Sequence, residues 1–138
     1  MIKIASSTEN KKTTYLVGEF SEKIIKLLSL NIEEGTQIFI SDSNVEHIRD
    51  HHPDVYIKYF DLIEDILQNP DYVGIAGVQQ ASIEYIKTLE IHKEYINVAV
   101  RATKSGVYFV RSMFIISDGK LTDYLKKRKI KRYKTSEM

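Results

Sequence analysis

The chain has no cysteine and no tryptophan, only two prolines and six glycines in 138 residues, and no long apolar run. Without cysteine, disulfides and thiolate metal sites are excluded, the redox compartment is left open, and a bound metal would have to be held by imidazole and carboxylate. The glycines are scattered, so neither a P-loop nor a dinucleotide fingerprint is present. No serine sits in a Gly-x-Ser-x-Gly turn, which leaves nucleophilic catalysis poorly supported. The start, Met1-Ile2-Lys3-Ile4-Ala5, runs into polar residues and carries neither a signal-like nor a membrane-spanning segment. A soluble cytoplasmic protein without membrane contact is the expectation.

What is present is ordinary folded composition, 43% hydrophobic and 28% charged. The length suits a single domain, 1–138, able to bury a core without cross-links. The net charge of +1 hides a polarity: residues 120–138 hold eight of the 20 Lys and Arg but two of the 19 Asp and Glu. That segment is basic by six charges, and residues 1–119 are left acidic by five. A basic patch on a weakly acidic body captures phosphates by counterion release, although a Lys/Arg run is also the ordinary ending of a solvated helix.

Ile2 to Ala5, Thr14 to Val17 and Thr36 to Ile40 read as short strands, and Ser21 caps a helical segment from Glu22 to Leu30. Ser43-Asn44-Val45-Glu46 has capping-box spacing, which predicts a helix from about Asn44 to the residue before Pro53. A second helix follows on the stripe Val55, Tyr59, Leu62, Ile63, Ile66 and Leu67, stopped by Asn69-Pro70. From Tyr72 the period shifts to two: Tyr72 to Ile75, Ser82 to Ile91, Tyr95 to Thr103 and Val107 to Ser117 read as strands, the last pair a hairpin around Lys104-Ser105-Gly106. Asp118 caps a final helix from Lys120 to about Lys129. Helices first and an antiparallel sheet afterwards make an α+β domain.

Three of the four histidines lie in His47-Ile48-Arg49-Asp50-His51-His52, closed by Pro53. Imidazole titrates near neutrality, so histidines beside arginine suit proton transfer near an anion. His47 and His51 share a helix face, the spacing of two zinc ligands, but Ile48 stands where the zincin motif needs Glu, and a third ligand would have to be Asp50, Glu46 or His92. His52, pushed out of helical geometry by Pro53, is presented at a bend. A polar helix end is the plain structural alternative. In the hairpin, Arg111 interrupts an apolar row, so it has to meet a carboxylate such as Glu84 or Glu90, the sheet edge, or a bound anion. Ser112 could reach the same ligand only if the strand twists or bulges.

Metal-free RNA cleavage needs a base for the 2'-hydroxyl, an acid for the leaving 5'-oxygen, and donors for the charged phosphorane. His47, His51 or His52 supply candidates for the first two, and Arg49, Arg101 or Arg111 for the third, with Lys side chains and Tyr133 of the tail adding donors. Tyr15, Tyr85, Tyr108 and Tyr124 are stacking candidates, or partly buried core residues.

The run from His47 to Pro53, the segment Gln68-Asn69-Pro70-Asp71-Tyr72-Val73-Gly74, the strand Ile96-Asn97-Val98-Ala99-Val100-Arg101, and Val110-Arg111-Ser112-Met113-Phe114 occur here in an order and spacing that resembles the phage-Barnase-EndoU-colicin-RelE-like nucleases. These are small domains of phages, mobile elements and toxin proteins. The resemblance covers about residues 40–133. It implies N-terminal helices packed on a four-stranded antiparallel sheet, with a C-terminal basic helix, and metal-independent ribonuclease activity without a cofactor. The matching positions are His47, His52, Arg101, Arg111 and Ser112, with Tyr133 a looser match, while His51 has no counterpart.

The expectation is a toxin-like endoribonuclease that uses no metal and proceeds through a 2',3'-cyclic phosphate. His47, His52, Arg111 and Ser112 form its catalytic set, and Arg49, Arg101, Tyr108, Lys126, Lys127, Arg128, Arg132 and Tyr133 bind the RNA. Residues 1–39 are an added hairpin and helix, 40–133 the nuclease-like core and 134–138 a tail. A cognate inhibitor protein is a further expected partner. The alternative is a catalytically silent module of a phage or mobile element that docks on nucleic acid or protein.

Overall fold

Ser21, Ser41 and Ser117 each end an extended stretch with φ/ψ in the β region and accept a backbone N–H of the following turn on their side chains, so each starts a helix. The computed structural model describes residues 3–4, 13–77, 81–89, 94–127 and 129–133. Its elements in chain order are β1 (Lys3–Ile4), β2 (Thr14–Glu19), α1 (Glu22–Leu28), β3 (Gln37–Ser41), α2 (Asp42–His51) and α3 (Pro53–Tyr59). After a 3-10 turn (Phe60–Leu62) come α4 (Ile63–Gln68), β4 (Tyr72–Ala76), β5 (Ser82–Leu89), β6 (Glu94–Ala102), β7 (Tyr108–Ile116), α5 (Asp118–Lys126) and β8 (Ile130–Arg132).

Two helix starts differ from expectation. The capping box of α2 is Ser41 with Asn44, each side chain bonded to the other's backbone N–H, because β3 runs on to Ser41 and the helix begins at once. For α5 the cap is Ser117 rather than Asp118, with Lys120 N bonded to its hydroxyl. The stripe read as one helix is α3 and α4, joined by the 3-10 turn.

The strands form a mixed sheet of seven, β2-β3-β7-β6-β5-β4-β8, extended beyond β2 by the two-residue β1. Every pairing is antiparallel except β3 with β7, which is parallel through Ile38↔Tyr108 and Phe39↔Phe109. The expected four-stranded antiparallel sheet is therefore corrected. Strands β4 to β7 are its centre, but Val17, Ile38 and Ile40 are buried with Val98 and Val100 in one core, and β2 and β3 can bury them only by joining the same sheet. The expected C-terminal basic helix is corrected too. Helix α5 stops at Lys126, and Ile130, 5% exposed, anchors a strand on β4 whose next two residues, Lys131 and Arg132, are exposed.

The main core lies between one sheet face and α1 to α4, with Ile24, Ile48, Val55, Ile63 and Ile66 meeting Val73, Tyr85, Val98 and Met113. A smaller core under α5 joins Leu121 to Ile86, Ile116 and Ile130 on the other face. Strand β6 is covered on both sides, so Ile96 to Val100 are all buried and the expected polar alternation is absent there.

The Asn69-Pro70-Asp71-Tyr72-Val73-Gly74 motif is a fastening for three strands. Asp71 takes the N–H groups of Thr88 on its side chain and Tyr133 on its carbonyl, while its own N–H bonds Ile86. At Gly74 a Cβ would lie 2.2 Å from the Lys129 carbonyl oxygen and 2.9 Å from Ile130 Cα, so only glycine admits β8. Gly74→Ala is expected to cost about 1–3 kcal/mol through overpacking against backbone. Thermal melting should show a fall of several degrees, and an unchanged melting temperature would refute the close approach.

Candidate active site

The second sheet face carries the site, and its rows follow from the register. One row reads Arg132, Tyr72, Ile86, Asn97, Phe114 across β8, β4, β5, β6 and β7. The next reads Gly74, Glu84, Ala99, Ser112. Arg101 follows Ala99 on the same face of β6.

At this point β7 has one residue too many. Ala99 faces Ser112 and Val100 faces Val110, which leaves Arg111 without a partner on β6, a β-bulge. Its effect is visible in the packing: Val110 and Met113, three apart, both point into the main core, which regular alternation forbids. Arg111 and Ser112 are thereby both released to the second face. Ser112 thus meets the condition set for it in the sequence. Arg111, grouped by alternation with Met113, stands on the opposite side.

A groove of about 460 Å³ opens there, lined by Ser82 and Glu84 of β5, Ala99 and Arg101 of β6, Arg111, Ser112 and Phe114 of β7, and Ser43, Asn44 and His47 of α2. Helix α2 reaches it because β3 pairs with β7 only as far as Phe109, and α2 packs along β7 beyond that point. Ile48 turns into the main core, which leaves His47 to the groove. Among the described residues, neither Arg101 nor Arg111 has a carboxylate within 4.0 Å, so the pairing of Arg111 with Glu84 is absent. Glu90 lies outside the described residues.

His52 ends α2 with φ −137° and ψ 61°, the non-helical bend that Pro53 imposes. It faces an adjoining groove of about 410 Å³ that shares Phe114 with the first. Its ring lies 5.8 Å from that of Phe114 and 6.4 Å from that of His47, centre to centre. Burial, and then the positive charge of His47 and His51, hold its pKa below the ordinary 6.5, so it is neutral at pH 7. His51 stacks on His47 at 4.3 Å, with Nδ1 3.1 Å from the His47 carbonyl oxygen. Among the described residues no three His, Asp or Glu side chains converge to hold a metal; His92 lies outside them.

Of the expected RNA-binding residues that are among the described ones, only Arg101 lines the groove. Arg49 is exposed beside Asp50 at 3.7 Å, and Lys127 pairs with Asp123 at 3.3 Å. Lys126 is exposed on α5, and Arg132 lies over the Tyr72 ring. Tyr108 sits against Phe20 at 4.9 Å and Tyr133 packs on the main core beneath Lys23. Arg128 and residues 134–138 lie outside the described residues. Tyr85 is buried, which pushes its pKa up, and Tyr15 donates to Asp42.

The sequence did not single out Ser43, Asn44, Ser82, Asn97 or Phe114, and it named Glu84 only as a partner for Arg111. Glu84 is 8% exposed and accepts a hydrogen bond from Asn97 Nδ2, itself on a residue 1% exposed. The available signal was the spacing Ser82-x-Glu84 at the start of the strand, which puts two polar groups on one face.

The family model described as phage-Barnase-EndoU-ColicinE5/D-RelE like nuclease3 matches residues 15–123. No curated protein and no solved structure matches the chain. The family match takes in nearly all of β2, and α1 and β3, as well as the histidine run. It ends inside α5, before the Lys and Arg residues from Lys126 onward. Matched over most of its length, the chain belongs to the phage-Barnase-EndoU-ColicinE5/D-RelE like nuclease family.

Proposed function

We propose that the protein is a metal-independent, toxin-like endoribonuclease that cleaves RNA through a 2',3'-cyclic phosphate. The observation that carries this reading is the bulge at Arg111, which turns Arg111 and Ser112 into the groove of Arg101 and His47. Two guanidinium groups with no carboxylate within 4.0 Å among the described residues, and a hydroxyl donor, suit the charged oxygens of a phosphorane.

In the proposed reaction the 2'-oxygen attacks phosphorus, the O2'–P bond forms and the P–O5' bond breaks. One group takes the 2'-hydroxyl proton and another delivers a proton to the 5'-oxygen. His52, neutral at pH 7, suits the base, and His47, exposed in the groove, the acid. Their ring centres lie 6.4 Å apart, within reach of the 2'- and 5'-oxygens of one phosphodiester. Exposed Lys126, Lys127 and Arg132 add a salt-sensitive attraction for the RNA strand.

Incubation with single-stranded RNA in EDTA should give fragments ending in 2',3'-cyclic phosphate. His47→Ala should lower the rate by roughly 10²–10⁴-fold, and full activity in both His47→Ala and His52→Ala variants would sink the assignment. Arg111→Ala should cost about tenfold or more, with Arg111→Lys recovering only part because a point charge cannot bond bidentately; equal rates in both variants and wild type would remove Arg111 from the site. For pH, the base works unprotonated, so kcat/KM should fall as pH drops through a midpoint below 6.5. That acid limb should vanish from the residual activity of His52→Asn, and a limb that persists unchanged assigns the base elsewhere.

A further inference from the structure

The phosphate-holding residues occupy one end of the groove. Its other side is unused by the proposed chemistry; the buried polar side chains Ser82 and Glu84 line it there, and Asn97, buried beside them, bonds Glu84. Ser82 is 4% exposed, Glu84 8% and Asn97 1%. Burying a carboxylate is costly unless its oxygens are occupied. Among the described residues Glu84 has one hydrogen-bond partner, Asn97 Nδ2, which takes only Oε1. Ser82 Oγ and Asn97 Oδ1 are buried without a hydrogen-bond partner among the described residues. Native interiors rarely leave such groups unmatched, so a cluster of them facing a groove points to a ligand.

The chemistry of the floor narrows that ligand. A phosphate offers only acceptors and is repelled by Glu84. A hydroxyl donates to a carboxylate and accepts from a serine hydroxyl, and so matches Glu84 and Ser82 together. These two stand two residues apart on the same face of β5, and Ala99 across from Glu84 leaves the carboxylate uncovered on the groove side. Arg101 lines the same groove and stays more than 4.0 Å from any described carboxylate, so the acidic and basic ends remain separately available.

Resting on the nuclease reading above, we propose that Ser82, Glu84 and Asn97 form a ribose-reading subsite. It holds the 2'-hydroxyl of the nucleotide on the leaving side of the scissile phosphate, on the flank of Arg101 and Arg111 away from the histidines. This hydroxyl is not the nucleophile, so the subsite selects RNA over DNA separately from the requirement that the chemistry itself imposes.

The test uses two dinucleotides that cannot be cleaved because both carry deoxyuridine on the 5' side. One has adenosine on the 3' side and the other 2'-deoxyadenosine, so they differ in a single hydroxyl. By calorimetry or NMR titration the wild type should bind the adenosine form about tenfold tighter, as expected of one hydrogen bond to a charged acceptor. Glu84→Gln and Ser82→Ala should each reduce that preference severalfold while the all-deoxy form binds as before, and Ser82→Ala, which removes one oxygen, keeps the test available if Glu84→Gln misfolds. Equal binding of the two dinucleotides by the wild type, or an undiminished preference in the folded variants, overturns the subsite and leaves the phosphate groove standing. If neither dinucleotide binds, the phosphate groove fails and the subsite with it.

Discussion

Strands β6 and β7 pair along most of their length, and the surplus residue at Arg111 is the point on which the site depends. In a regular strand Arg111 would share a face with Met113, so burying Met113 in the main core would carry a guanidinium into an apolar interior at a cost of several kcal/mol. The bulge separates the two demands. It keeps Val110 and Met113 in the core and gives Arg111, Ser112 and Phe114 to the opposite face. A backbone irregularity is thus what converts a structural strand into one wall of a groove, the placement for which bulges are favoured near sites.

The parallel contact between β3 and β7 has the complementary role. It covers only Ile38 and Phe39 on the β3 side, and beyond it the edge of β7 is taken by α2. That helix serves both sides: Ile48 faces the core, and Ser43, Asn44 and His47 face the groove. The capping box at Ser41 makes the strand-to-helix transition immediate, so the depth of the histidines along β7 is set by backbone hydrogen bonds and not by a loop. Across the same face the charge runs from arginine on β6 and β7 to carboxylate on β5, and a bound strand of nucleic acid meets both signs in one groove.

The local grammar of the sequence was legible and the long-range pairing was not. Strands β4 to β7 lie within about two residues of their expected limits, because period-two alternation and the Ser105-Gly106 turn are local signals. The bend at His52 followed from Pro53, and the grouping of His47, Arg101, Arg111 and Ser112 agreed with their shared motif order. The β3–β7 contact joins residues far apart in sequence and leaves no local trace, so β2 and β3 looked like an appendage. β8 was hidden because two of its three residues are charged, and a Lys/Arg run after a helix looks like more helix. Glu84 was read only as a partner for Arg111, since on an alternating strand nothing local distinguishes a solvent face from the floor of a groove. The odd spacing of Val110 and Met113 did hint at the bulge.

Both borders of the sheet are short: two residues in β1 and three in β8. At the β8 border, Lys131 and Arg132 are exposed, with Lys131 Nζ bonded to the Leu27 carbonyl and Arg132 over the Tyr72 ring. An open sheet border is a template for another chain, and brevity and positive charge are the usual protections. Two cations that read in sequence as part of a lure for nucleic acid therefore also act as gatekeepers against edge-to-edge polymerisation. Any change in the charge of these two residues would act at the same time on the colloidal behaviour of the fold.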